Sequence, residues 1–305
     1  MIIDQEKPDV KKYIRQCIVS VLLAVLFSGC SLDKTPGAPF QYRKYQEAAM
    51  EQFMDEDYLS ALENFRKAFQ VNPSKLENDK FFAAASALQL GKDEEARDYI
   101  ISAIEENNAN RAYFDSFDHF SEFRSNEVLV EIGRNYSKHQ EVYLANIEHP
   151  EIAREIDSMI RADQQVRTES SQLNRMKAVD SSNIRRLIEI TKAYGWQEEA
   201  WIILWHQRGY YKTDNEVWNF FYPFISAEME RGKVNPDFWA MFEDDKSIRE
   251  DGVQIFGTYS NNYDQFPVKN ISRVDELRDS VGLPSLRFMN KVYGAAMPSN
   301  YHLVN

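Results

Sequence analysis

From Tyr45 onward, apolar side chains return every three or four positions, the spacing that gathers them on one face of a helix. The stretch "YQEAAMEQFMDEDYLSALENFRKAFQVNP" reads as two such helices. Ala49, Ala61 and Ala68 are small enough for the helices to approach closely, Phe65 fills the space between them, and Pro73 ends the second. The pattern recurs in "FFAAASALQLGKDEEARDYIISAIEEN" through Ala84, Gly91, Ala96, Ile100 and Ala103, with Ala61 and Ala96 separated by 35 residues and Asn108 standing where the proline would be. Residues 111–146, aromatic-rich and less regular, are predicted to form a third, capping helical pair, because two repeats alone rarely bury enough core to stand.

From Pro150 the pattern loosens. Ile152, Ile156, Met159, Ile160 and Val166 predict an amphipathic helix whose other face carries Asp163, Gln164 and Arg167. A helix capped by Ser181 or Ser182 and stopped at Gly195 follows, then two aromatic-rich helices, the first containing His206. Val253, Ile255 and Phe256, then a polar turn at "SNNYD" with Phe266 and Val268 beyond it, predict a β-hairpin. A last helix is expected from Ser272, with Glu276 close by, to Gly282 and Pro284. The fold class expected is therefore mainly α: a short helical solenoid followed by an α-helical domain with one small β-hairpin.

The first thirty residues have a different character. Basic "KKYIRQ" precedes an apolar run from Cys17 to Phe27 that is too short to span a bilayer but fits the core of a secretory signal. Ser28 and Gly29 are small, and Cys30 stands directly behind them. "SLDKTPGAPFQ" then reads as an extended tether, whose roughly 11 residues at ~3.3 Å each reach about 36 Å. "LFSGC" resembles the lipobox of bacterial lipoproteins, with Phe27 where that family usually has Leu. The resemblance implies cleavage before Cys30, acylation of its thiol and a protein fixed to a membrane of the bacterial envelope; Ser31, in place of Asp, resembles the outer-membrane sorting pattern. One acyl chain anchors marginally and two or three anchor firmly, at about 0.8 kcal/mol per buried CH₂. Cys17 would leave with the signal, so Cys30 would have no disulfide partner, and a metal or thiol-catalytic role for it is disfavoured.

The repeats resemble the tetratricopeptide family at Tyr45, Ala49, Ala61, Phe65, Ala68 and Pro73. Residues 150–290 resemble a bacterial domain family of unknown function, through "ADQQVR", "NIRRLIEITKAYGW", "WHQ", "DDKSIREDGVQIFGT" and "VDELRDSVGLPSL" in that order. Carried over position by position, the matching residues are Asp163, Gln164, Arg167, His206, Gln254, Gly257, Thr258, Asp275 and Arg278, while Lys246, Gln207 and Tyr259 depart from the pattern. These patterns divide the chain into a signal at 1–29, the lipidated Cys30 and tether at 30–41, repeats at 42–147, the helical domain at 150–290 with its hairpin near 253–269, and a tail at 291–305.

Charge and composition narrow the function. A net charge of −12 repels phosphate backbones, so no nucleic-acid partner is expected. The five histidines lack ligand spacing, no nucleotide-binding or G-x-S-x-G motif occurs, and neither a metal nor a cofactor is expected. Two functional readings remain. One is a membrane-tethered, non-enzymatic module that binds a protein or peptide through its repeats, which is the preferred reading. The other is a ligand-binding or hydrolase-like domain with His206 as acid/base, Arg167 and Arg278 gripping an anion, Gln254 and Thr258 orienting it, and Asp163 and Gln164 as further ligand-binding candidates. The same residues also have structural readings: Asp163 and Arg167 as a surface i,i+4 pair, His206 as a core histidine, Gln254 and Thr258 as groups satisfying a local turn. Convergence of His206, Gln164, Arg167 and Gln254 on one pocket would favour the second reading, and separation would favour the first.

Overall fold

The computed structural model describes residues 38–71, 77–168 and 173–301. The signal segment, Cys30, most of the tether, Pro73 and the end of the tail lie outside the described residues. Small residues set the packing of the first half. Helix α1 (Ala38–Met54) folds against α2 (Tyr58–Val71), and α3 (Glu77–Gln89) against α4 (Asp93–Glu105). Ala49, Ala61, Ala68, Ala84, Ala96 and Ala103 are all completely buried between them, as is Phe65. α1 already begins at Ala38, within the stretch expected as a tether, and holds Pro39 in its first turn, where a missing N–H leaves no bond unmade.

The second repeat ends without a proline. Asn108 takes a left-handed backbone conformation (φ 55°), and its N–H and that of Ala109 bond back to the carbonyls of Ile104 and Ala103, closing the helix as a glycine would. The third pair is the short α5 (Arg111–Ser116), a 3₁₀ turn at Asp118–Phe123, and α6 (Glu127–Asn146), whose starts are capped by Asn110 and Asn126. Phe114, Phe117 and Phe120 pack edge-on and tilted around Phe81, with centroids 4.9–6.2 Å apart. Ion pairs join the second helices of successive pairs: Arg66 reaches Glu95 with two bonds of 2.6 and 2.7 Å, and Arg97 pairs with Glu131.

The second half forms another core around α7 (Pro150–Thr168), α8 (Leu173–Tyr194), α9 (Trp201–Trp205), α10 (Glu216–Glu230) and α11 (Ala240–Asp251). Ile152, Ile156, Met159 and Val166 are buried on α7, as their spacing predicts. Ser181 and Ser182 do not cap a helix. α8 runs through them from Leu173, and the Ser181 hydroxyl donates back to the Lys177 carbonyl at 2.8 Å. Ser272 is likewise no cap: it lies in a 3₁₀ turn, Ile271–Arg273, that runs into α12 (Val274–Ser280), and Arg273 pairs with Glu276 at 2.8 Å.

The expected hairpin takes another form. Gln254 pairs with Val268 in the parallel sense, through Gln254 N–H to Pro267 O at 2.9 Å and Lys269 N–H to Gln254 O at 2.8 Å. Between them the chain curls through Gly257 (φ 70°) and a 3₁₀ turn at Ser260–Asn262, so two antiparallel strands never form. Residues 253–269 are a loop with a single bridge.

The last helix, α13 (Leu286–Tyr293), returns to the first half. Phe288 and Val292 belong to the same apolar core as α1 to α6. Lys291 pairs with Asp55 at 2.7 Å, the Tyr293 hydroxyl meets Met50 Sδ and Asn78 at 3.4 Å, and Arg43 on α1 bonds to Leu283 O and Asp279. The chain's own C-terminal helix thus docks on α1, with one contact to Asn78 at the start of α3. Residues from Gly37 onward form one compact unit.

Candidate functional site

The polar residues singled out in the sequence separate into two networks. The first is built on α7. Asp163 is 1% exposed, so it is a buried carboxylate rather than half of a surface pair. Helical spacing sets Arg167 one turn on, with Nη1 2.9 Å from Asp163 Oδ1, and Gln164 Nε2 donates to Asp163 Oδ2 at 2.7 Å. Arg167 also donates to Asp180 on α8 at 2.6 Å, placing its guanidinium between two carboxylates. His206 closes α9 and brings Nε2 to 3.1 Å from Asp163 Oδ2. Neither that contact nor the Arg167–Asp163 Oδ1 contact has hydrogen-bond alignment, so both are close ionic or dipolar approaches rather than directed bonds. His206 itself is mostly buried, beside Trp205.

The second network is built on a residue the sequence reading passed over. Asp244, on α11, is completely buried. Its Oδ1 accepts from the backbone N–H groups of Ile255 (2.6 Å) and Phe256 (2.8 Å), and its Oδ2 from the Thr258 N–H and hydroxyl, both at 2.8 Å. One carboxylate therefore holds the whole turn that precedes Tyr259. Gln254, also completely buried, completes the loop: its amide donates to Phe266 O at 2.7 Å and accepts from Tyr259 N–H at 2.8 Å. Arg278, 3% exposed, donates to the carbonyls of Pro284 and Phe256. Burial depresses its pKa, opposed by the nearby acidic groups Tyr263, Asp275, Asp244 and Glu47. Asp275 accepts from Leu286 N–H at 2.7 Å and from the Tyr301 hydroxyl.

Gln254, Thr258 and Arg278 therefore belong with Asp244, whereas Gln164, Arg167 and His206 belong with Asp163. Trp205, Arg208 and Tyr259 lie between the networks. Arg208 stacks over Trp205 at 4.5 Å and pairs with Asp245 at 3.2 Å, and Asp245 also accepts from the Tyr259 hydroxyl at 3.1 Å. Burial, followed by the Asp245 charge, raises the Tyr259 pKa. The three departures from the family pattern are accommodated in place. Tyr259 makes the bonds just given, Lys246 pairs with Glu250, and the Gln207 carbonyl accepts from the Trp218 indole at 3.2 Å.

Chemically, a buried carboxylate close to Arg167 and an imidazole neutralises and orients charge. Among the described residues no three His, Cys, Asp or Glu side chains gather as a metal ion requires, and no helix is long and apolar enough to cross a membrane. Comparison with known proteins finds no matching family model, no matching curated protein and no matching solved structure.

Proposed function

We propose that this protein is a non-enzymatic interaction module of the bacterial cell envelope, tethered through a lipid on Cys30, probing a protein or peptide partner with a helical-repeat body. On this reading it is a lipoprotein with tetratricopeptide-like repeats, seated in the outer membrane, whose second half belongs to the domain family it resembles. The observation that carries the reading is the separation of the polar residues into two networks. Each is spent on holding helices and a loop together, and among the described residues no hydrogen bond or ion pair joins Gln254 to His206, Gln164 or Arg167.

Exposed apolar side chains support a binding role. α6 buries nothing after Tyr136, and its final turns leave Val142 and Leu144 exposed; Trp201 and Tyr194 are 40% and 42% exposed. Large side chains of this kind are what interfaces use as anchors. Because α13 already docks on α1, this exposed end of the solenoid is the natural candidate for the partner surface.

Two experiments test the proposal. Metabolic labelling with fatty acid is expected to mark the full chain and to fail with Cys30→Ser; equal labelling of both removes the tether. A photo-crosslinking residue at Leu144 or Trp201 in living cells is expected to give a discrete protein adduct. No adduct at either position, together with a small-molecule turnover abolished by His206→Gln, would replace this reading with the hydrolase-like one.

A further inference from the structure

A cavity of about 450 Å³ opens where the start of α11, the 257–263 turn and the α12–α13 segment meet. Its size is within the range of small-molecule sites. It lies away from His206, which does not line it. Phe238, Met241, Leu283, Leu286 and Met289 make most of its wall apolar.

The polar groups on that wall differ in how far they are already engaged. The Tyr263 hydroxyl donates to Gly257 O at 3.0 Å, and the Thr258 hydroxyl donates to Asp244 at 2.8 Å. Arg278 donates to backbone carbonyls and has the buried Asp244 and the half-buried Asp275 near it, so its charge is already offset. Asp237 is different. Its carboxyl has no side-chain partner among the described residues and is held only by its own backbone N–H. The Ser260 hydroxyl on the same wall is neutral, so Asp237 and Arg278 are the charged side chains of the lining, and Asp237 is the one whose carboxyl takes no hydrogen bond from another side chain.

We infer that this cavity binds a small organic cation, an apolar body bearing one ammonium group, with the Asp237 carboxylate as its counter-ion. The wall carries one acid, Asp237, and one base, Arg278, whose Nε and Nη1 already donate to carbonyls, so an anion would face the Asp237 carboxylate against a base that is already engaged. A cation gains an ion pair in a desolvated setting, where opposite charges attract more strongly than in water. Desolvation pushes the Asp237 pKa up to about 6, while Arg43 and Arg278 pull it down and Glu198 pushes it further up. These are the charged groups that face it from α1, α12 and the 3₁₀ turn before α9. A bound ammonium favours the ionised carboxylate, so binding and deprotonation are linked.

Isothermal titration of the full chain with hexylammonium, hexanol and hexanoate tests this. At pH 7.5 hexylammonium is expected to bind in preference to the other two. Its affinity is expected to fall by up to about tenfold per pH unit below about pH 6, as Asp237 takes up a proton. Asp237→Asn should abolish the preference, and Asp237→Glu should restore part of it. The pH dependence of the unmodified chain keeps the test decisive even if a variant folds poorly. Preferential binding of hexanoate, equal binding of hexanol, no binding of any of the three, or hexylammonium binding unchanged in folded Asp237→Asn would each overturn the inference.

Discussion

Replacing Asp244 by Asn changes one atom type at the centre of the second network, and the outcome follows from the four bonds it accepts. An Asn carbonyl oxygen can keep the N–H groups of Ile255 and Phe256, now as neutral rather than charge-assisted bonds. Its NH₂ then faces the Thr258 N–H and hydroxyl. The hydroxyl can rotate to accept, but the backbone N–H cannot, and a buried donor left unpaired costs about 1–3 kcal/mol. The two weakened bonds add about 1 kcal/mol each, charge-assisted bonds being roughly twice as strong as neutral ones. A loss of about 3–5 kcal/mol is therefore expected, partly relieved because a buried charge no longer has to be desolvated. Thr258→Val removes only the hydroxyl and should cost about 1–2 kcal/mol. Urea unfolding followed by tryptophan emission suits the question, since Trp205 packs against Phe242 and Tyr259, beside the turn that Asp244 holds. Asp244→Asn within about 0.5 kcal/mol of the unmodified chain, or no more costly than Thr258→Val, would refute the assignment of Asp244 as the hub.

Three further outcomes follow. Arg167→Met should destabilise by about 3–5 kcal/mol in urea unfolding, because Asp163 is left buried with its main counter-charge gone; pairing it with Asp163→Leu should recover much of the loss, and a simple sum of the two single effects would contradict this. Phe288→Ala should cost about 3–5 kcal/mol and loosen hydrogen-exchange protection in α1, since Phe288 is 1% exposed in the repeat core; protection lost only in α12 and α13 would argue against that docking. Asp237 has its pKa raised from 3.8 to about 6, so the folded chain holds the proton more tightly than the unfolded one and its stability falls as pH rises between those values. Asp237→Asn should therefore match the unmodified chain below about pH 4 and exceed it by about 1–3 kcal/mol at pH 8, the lower figure allowing for partial exposure. A variant less stable at pH 8 would reverse that sign.

The parts of the fold written in local spacing were legible in the sequence. Ala49, Ala61, Ala84 and Ala96 announce close helix packing because small residues at helical spacing have few other uses, and the apolar stripe of α7 is equally direct. What depends on the chain returning to itself was not. Asp244 is one acid among several in "FEDDKS", and its burial is decided by a turn eleven to fourteen residues later. The apolar residues around 253–256 and 266–268 show that two short segments meet, but periodicity carries no sense of direction, hence the hairpin in place of a parallel bridge. Ser181 and Ser182 looked like a cap because serine favours one, yet a serine hydroxyl can instead fold back on its own helix. Nothing in "LRFMNKVY" says that it docks on α1, where Tyr293 meets Met50, 243 residues earlier. Within the candidate site, helical spacing brought Asp163, Gln164 and Arg167 together, while only the tertiary packing of α9 on α7 added His206.

The proposal that this chain is a binding module has a direct consequence for His206: the side chain serves the contact of α9 with Asp163 on α7 and is not needed for partner capture. The most direct measurement is in-cell photo-crosslinking from Leu144 or Trp201 in the His206→Gln chain, alongside its thermal unfolding. Undiminished adduct from a folded His206→Gln chain is the predicted result. Loss of the adduct from a chain that melts at the unmodified temperature would place His206 in the protein's activity and contradict the account.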